Sequence, residues 1–200
     1  MFLLIFVAIA LIVRSLWAAA FTIVVVLVSV AITIGITGWF GVYLSTATVN
    51  APTMITTLAV ADCIHIIVGV KYYLSQGLGT KEAIQKSIDV NRKPIFITSI
   101  TTAIGFIMLN FSAVPVLAHL GNMTALGVML ACVFSLTILP SLLTLRPLKA
   151  STAIRNTVFK HWALVVNTHH RKLLPLSLIV IAGISLFATN NVLNDVAVKY

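Results

Sequence analysis

The chain has 200 residues, 60% of them hydrophobic and only 8% charged, where a soluble domain runs near ~45–50% apolar and ~25% charged; that composition excludes a domain whose main solvent is water. Thirteen Lys and Arg against four Asp and Glu give a net charge of +9, which in a soluble protein would suggest nucleic acid or acidic ligands. The placement of the charges removes that reading.

They fall in clumps. Between Leu16 and Lys71 the only charged residue is Asp62, and from Pro94 to Leu145 there is none. Uncharged apolar stretches of this length read as transmembrane helices, because a bilayer core of about 30 Å takes roughly 20 residues at 1.5 Å each. Six spans follow, and the expected fold class is all-α, a polytopic membrane helix bundle. The first, Met1 to Val13, reaches only ~20 Å and reads as a truncated span. The competing reading is an export signal, but such a signal wants a basic head before the apolar run, and Arg14 follows it. The others are Leu16 to Gly38, Pro52 to Tyr73, Pro94 to about Val114, Val116 to Leu145, and Leu173 to about Thr189. Gly35, Gly38, Pro115 and Pro140 fall at or near span ends, and Pro94 is expected to open its helix, where a missing N–H costs nothing.

Alternating these spans puts 12 of the 13 basic residues on one side: Arg14, the Lys71 to Lys93 segment and the Arg146 to Lys172 segment. Only Lys199 lies opposite. This is the positive-inside pattern, so the basic loops are expected in the cytoplasm and both chain ends outside. Two of the loops look like more than connectors. Thr80 to Lys93 spaces Ile84 and Ile88 four apart among polar residues, with Glu82 placed to pair with Lys86, and reads as a short amphipathic helix. Arg155 to Lys172 repeats the idea, with Val158, Trp162, Val165 and Val166 on one side and cationic residues on the other, available to lipid phosphates. A solvated or interfacial face without a partner is the plainer reading of both.

Asp62 stands in the middle of its span and is the only acid at bilayer depth. A charged side chain there costs about 2.5–3.5 kcal/mol on insertion scales, so such a residue ordinarily faces protein or water and has a task. Burial disfavours the charged form of a carboxyl, and with a partner or water wire such a group takes up and releases protons near working pH. His65 follows three residues on, so Leu58, Asp62, His65, Ile66 and Gly69 share a stripe. A carboxylate that binds a proton beside an imidazole whose charge can respond is what a proton relay requires. The alternative is that Asp62 and His65 bond each other or a neighbouring helix to fix packing.

On the next span Thr98, Thr101, Thr102 and Gly105 follow the i, i+3, i+4, i+7 pattern, a supporting polar face ending in a residue that permits close helix approach. A lone membrane Thr commonly bonds the carbonyl of its own preceding turn, but three on one face argue for more. Gly121 with Ala125 is a small-xxx-small pair that suggests tight packing. His119, Asn122, His161, His169 and His170 read as interfacial. Cys63 and Cys132 lie inside spans, so neither is half of a structural disulfide, and no metal-type Cys or His spacing exists. There is no phosphate loop, Walker sequence, paired carboxylates or nucleophile with an adjacent base. The chain is therefore not expected to be an enzyme or to hold a cofactor, and uphill transport would draw on an ion gradient.

With these residues in view, the stretch from about Thr53 to Pro147 resembles the resistance-nodulation-division (RND) superfamily, in its lipid-exporter-like branch known by the MMPL and sterol-sensing-domain labels. The resemblance is carried by "AVADCIHIIVGVKYYLSQGLGTKEAIQKSI", "RKPIFITSITTAIGFIMLNFS" and "HLGNMTALGVMLACVFSLTILPSLLTL". In order and spacing it includes the Thr-rich run to Gly105 and Phe106, the packing pair Gly121 and Gly127, and Leu139 with Pro140. It implies a twelve-span transporter in two halves, each with a large extracytoplasmic domain, of which this chain would be a fragment covering the second to seventh spans. Residues 1–145 would belong to the first transmembrane domain and 146–172 to the cytoplasmic connector. Residues 173–200 would open the second half and its extracytoplasmic domain.

The same resemblance implies that Asp62 is the proton-carrying acid. The better-known versions carry Gly four residues before that acid and a second Asp or a Tyr after it; here Leu58 and Cys63 occupy those places. The expected function is efflux of a hydrophobic or lipid-like substrate by proton antiport across the bacterial cytoplasmic (inner) membrane. The lipid bilayer, that substrate and the rest of the transporter are the expected partners; an oligomer is open and nucleic acid is not expected. A non-transporting, sterol-sensing-type lipid-binding regulator and a protein-translocation accessory are the alternatives that share the fold.

Overall fold

The computed structural model describes residues 7, 9, 10, 13, 15–42, 45, 46, 48–146, 148, 175 and 178–185. The chain divides into two compact units, Met1–Ala153 and Ile154–Tyr200. In the second, the described residues are helical and exposed; the expected Arg155 to Lys172 helix, with His161, His169 and His170, lies outside the described residues, as do most of the first span and part of the sixth.

Four long helices make up the first unit among the described residues: α1 (Leu16–Trp39), α2 (Ala51–Ser75), α3 (Thr80–Ile107) and α4 (Pro115–Leu145). At 24 to 31 residues each they run about 36–46 Å, enough to cross a hydrocarbon core of about 30 Å. No strand occurs among the described residues, and the fold is an all-α membrane helix bundle. Local chemistry sets the ends. The Ser15 hydroxyl accepts the Ala18 N–H at 3.3 Å and caps α1. Pro52 and Pro115 occupy first turns, where no N–H is needed. Gly41 and Gly77, at φ +75° and +89°, make the left-handed turns that follow α1 and α2.

The third span differs from expectation. Thr80 to Lys93 and the span after it form one continuous helix, with Pro94 inside it. Proline removes the hydrogen bond to the Val90 carbonyl, and both residues are exposed. The α-helix also ends earlier, at Ile107, and tightens into a 3₁₀ turn over Met108–Phe111; there the Asn110 amide donates to the Ile107 carbonyl at 2.8 Å. The expected Glu82–Lys86 pair is not formed. Lys86 Nζ lies 5.6 Å over the Tyr73 ring instead, and an exposed ion pair is worth too little to hold it back.

Every pair of helices is in contact except α1 and α3. The bundle is thus a rhombus with α2 and α4 on its short diagonal. Core side chains come chiefly from that diagonal: Ile55, Ala59, Cys63 and Ile66 of α2, and Val128, Ala131, Cys132 and Leu139 of α4. Phe96, Ile97, Ile104 and Ile107 of α3 and Val24 and Leu27 of α1 face outward, as lipid-facing positions should. Trp39, Phe40 and Phe111 are exposed at one end. At the other, the Arg146 guanidinium stacks 4.2 Å from the Trp17 ring. This is the distribution of an aromatic belt at each bilayer interface.

Two glycines on α4 make the close approach possible. A Cβ at Gly127 would lie 2.6 Å from Ile55 Cγ1 and 3.1 Å from Thr33 Oγ1. A Cβ at Gly121 would strike the Phe106 carbonyl oxygen and reach 3.0 Å from Leu109 Cβ. At Gly105 it would meet nothing within 4 Å, so the close approach expected there is not made among the described residues. Gly121→Ala is expected to lower stability by about 1–3 kcal/mol, since backbone must yield, while Gly105→Ala stays within ~0.5 kcal/mol. Thermal unfolding in detergent distinguishes them.

Candidate functional site

Asp62 sits on the α2 face that meets the diagonal and is 7% exposed. Its surroundings come from three helices. Cys63 is its neighbour on α2, and the Cys132 thiol of α4 is close enough for Asp62 to act on it electrostatically. Ser99 of α3 lies beside that thiol, and Ser135, one turn on, donates to the Cys132 carbonyl at 2.9 Å. The result is a mid-membrane cluster of one carboxyl, two thiols and small hydroxyls. Among the described residues Asp62 has neither a cationic partner nor a side-chain hydrogen bond; their single ion pair is Arg92–Asp89 at 3.9 Å on the surface.

The stripe expected to accompany Asp62 divides. Ile66 is buried with it, but His65 is exposed and lines a cavity of about 380 Å³ with Ile64, Val68, Gly69, Tyr72 and Asn91, among others. Asp62 is not part of that lining. Spacing of i,i+3 puts two residues about 60° apart around the helix, enough here for one to point into the bundle and the other out of it. No hydrogen bond links them.

On α3 the residue brought inward is Ser99, in step with Ile95 and Ala103. Thr98 and Thr101 are exposed, and each bonds carbonyls of its own helix, Pro94 and Ile95 for the first and Ile97 and Thr98 for the second, at 2.9–3.0 Å. Thr102 is half-buried and lines a recess with Gly105, Phe106 and Leu109. The Ile95, Ser99, Ala103 row was the available signal: a period of four that continues the Ala83, Ser87 row of the same helix. Sequence reasoning also gave Cys132 no part, since a lone buried Cys carries no mark of its neighbours.

Further contacts fix the frame around the cluster. The Ser87 hydroxyl donates to the Ile66 carbonyl at 2.8 Å, tying α3 to α2 one turn inward of Asp62; Gly69 makes room for it. Lys71, buried at the basic end of α2, donates to the Val13 carbonyl. At the opposite end Asn110 and Asn122 exchange two amide hydrogen bonds of 2.8 and 3.0 Å, clamping the 3₁₀ turn to α4, while His119 is exposed. No group of three or more His, Cys, Asp or Glu able to hold a metal occurs among the described residues.

Comparison with known proteins follows this geometry. Residues 1–173 match the model of the MMPL family. Over 120 residues the chain is 29% identical to MJ1562 of Methanocaldococcus jannaschii, which carries a membrane-protein name; the match covers 60% of this chain and 31% of the relative's length.

Since Cys63 and Cys132 are 0% and 2% exposed, both are expected to resist a membrane-permeant maleimide in the folded protein and to react on denaturation. Labelling of native protein followed by mass spectrometry reads this out, and rapid native labelling of either thiol would show that the cluster opens.

Proposed function

The chain belongs to the MMPL family, and from that premise we propose that it forms part of the transmembrane machinery of an RND-type exporter. In this reading the proton-motive force drives export of a hydrophobic or lipid-like substrate, with Asp62 as the intramembrane proton carrier. One observation supports it above the others: the one buried acid among the described residues of these helices lies on the central diagonal with no counter-charge among them. Binding one proton removes that charge. The helices around it then have a reason to repack, because a ligand shifts an equilibrium only by its differential affinity for the two arrangements. His65, on the adjacent face, is the group proposed to exchange protons with Asp62 when the helix moves. Ser99 is positioned to respond to the carboxyl through Cys132.

The aligned stretch is about a third of its relative's length, so the substrate path is assigned to parts of the protein beyond these helices. The reading places the basic loops in the cytoplasm of a bacterial cell, with the cytoplasmic membrane as its site.

The test is proton-driven transport by the full-length protein reconstituted in liposomes. Asp62→Asn is expected to abolish it, at a wild-type level of folded protein, and Asp62→Glu to retain part. His65→Gln is expected to slow transport without abolishing it. Undiminished transport by Asp62→Asn would rule Asp62 out as the carrier.

A further inference from the structure

The outer surface between α2 and α3 is not uniformly apolar. His65, Val68 and Tyr72 of α2 are exposed and follow one another at helical spacing, and Lys86, Val90 and Lys93 of α3 do the same. Between the two rows lies the cavity of about 380 Å³, which takes His65, Val68 and Tyr72 from the first row and Val90 from the second. Gly69 and Asn91 also line it. There the helices come close: a Cβ at Gly69 would strike the Ser87 hydroxyl and reach 3.0 Å from Asn91 Nδ2. The Ser87–Ile66 hydrogen bond holds that seam. The cavity therefore opens outward, where Val68, Tyr72 and Val90 are 50–57% exposed.

Its depth is set by α2. Counted from Pro52, a hydrocarbon core of about 30 Å takes roughly 20 residues and ends about Tyr72, and tyrosine is a residue of that boundary. From Tyr73 to His65 is eight residues, about 12 Å. The cavity thus starts at headgroup depth and carries His65 and Asn91 below it. Polar side chains on an outward face at that depth are costly unless polar atoms meet them. The charges decide which. Lys86 Nζ is held 5.6 Å over the Tyr73 ring, at the mouth. Lys93 lies seven residues further in, about 10 Å. Side chains tilt toward the N-terminus of their helix, so Lys93 leans back along the groove toward Lys86, and its flexible stem lets the ammonium snorkel the same way. The acids of this segment are Glu82 and Asp89. Asp89 is paired with Arg92 at 3.9 Å, and neither acid lines the cavity.

We propose that the α2–α3 groove holds an anionic phospholipid from the leaflet at the basic end of the bundle. Its phosphate sits between Lys86, Lys93 and the Tyr72 hydroxyl, drawn below the level of its neighbours, and a ring N–H of His65 donates to an ester carbonyl. The acyl chains lie on Phe96 and Ile97, which are 50% and 60% exposed further along α3. A volume of about 380 Å³ is near the lower end of small-molecule sites, ~300–1,000 Å³, and suits the phosphoglycerol part alone. The charge selects the lipid: a zwitterionic headgroup brings its own cation against the lysines, and an anionic one does not. Asp62 takes no part in this site.

The test uses full-length protein in liposomes containing a trace of photoreactive phosphatidylglycerol, with labelled peptides identified by mass spectrometry. Labelling is expected on the α2 and α3 peptides that flank the groove, and about tenfold more unlabelled phosphatidylcholine than phosphatidylglycerol of the same chains is expected to be needed to compete it away. Lys86→Gln with Lys93→Gln is expected to remove that preference, and Lys81→Gln, a cation outside the lining, to leave it. Val90→Trp, which fills the groove from an exposed position, is expected to abolish the labelling of these peptides. Equal competition by the two lipids in the wild type overturns the proposal without any variant, and so decides it where a variant fails to fold. Labelling confined to α1 or α4, or a preference that survives the double lysine variant, overturns it as well. Displacement by glycerol 3-phosphate as readily as by phosphatidylglycerol shows a site for free anions and overturns the lipid.

Discussion

In a bilayer core no solvent satisfies a polar group, so each helix must settle its own hydrogen bonds or find a neighbour to do so. These helices follow that constraint closely. Thr22, Ser29, Thr33, Thr37, Thr56 and Ser135 each return a hydroxyl to a carbonyl of the same helix, which neutralises them without tying one helix to another. Cross-helix bonds are few among the described residues: Ser87 to Ile66, one turn inward of Asp62, and Asn110 with Asn122 near the other end. Elsewhere the middle of the bundle is held by packing. There the two groups that break the rule, the carboxyl of Asp62 and the hydroxyl of Thr124, lie on the helices of the central diagonal.

On the proposed carrier role of Asp62, packing with few cross-links suits a part that changes shape. Dispersion between close helix backbones has no fixed geometry, so small shifts along the diagonal cost little until a side chain such as Ile55 meets the wall opposite. The end clamps keep such shifts from separating the helices.

Much of this was legible in the sequence. Uncharged intervals of about a bilayer's thickness gave α1, α2 and α4 almost to the residue, because insertion depends on a sum over some twenty side chains and tolerates local detail. The join at Pro94 was misjudged for the converse reason. A lone proline is a weak boundary, because one lost hydrogen bond is a small cost against 28 continuous helical residues. The position of Asp62 was legible because a carboxyl at that depth is expensive wherever it points. Its neighbours were not. Choosing Thr98 and Thr101 over Ser99 was a choice of face, and the face of α3 that turns inward is set by which helices flank it, which hydroxyl spacing does not encode. The division of Asp62 from His65 has the same origin.

The continuity of α3 has a mechanical consequence. Near its basic end the helix bears on α2 where Ser87 meets Ile66 and Gly69, which makes a fulcrum. Ser99, beside the cluster, lies 12 residues from that point, about 18 Å, and Ile107 lies 20 residues away, about 30 Å. Turned about that point as a rod, α3 would carry a displacement of one ångström at Ser99 into about 1.7 Å at its far end. There the paired amides of Asn110 and Asn122 hand the motion to α4. The helix runs without interruption past Pro94, so such a motion would reach the face of the membrane where the loop from α3 to α4 emerges.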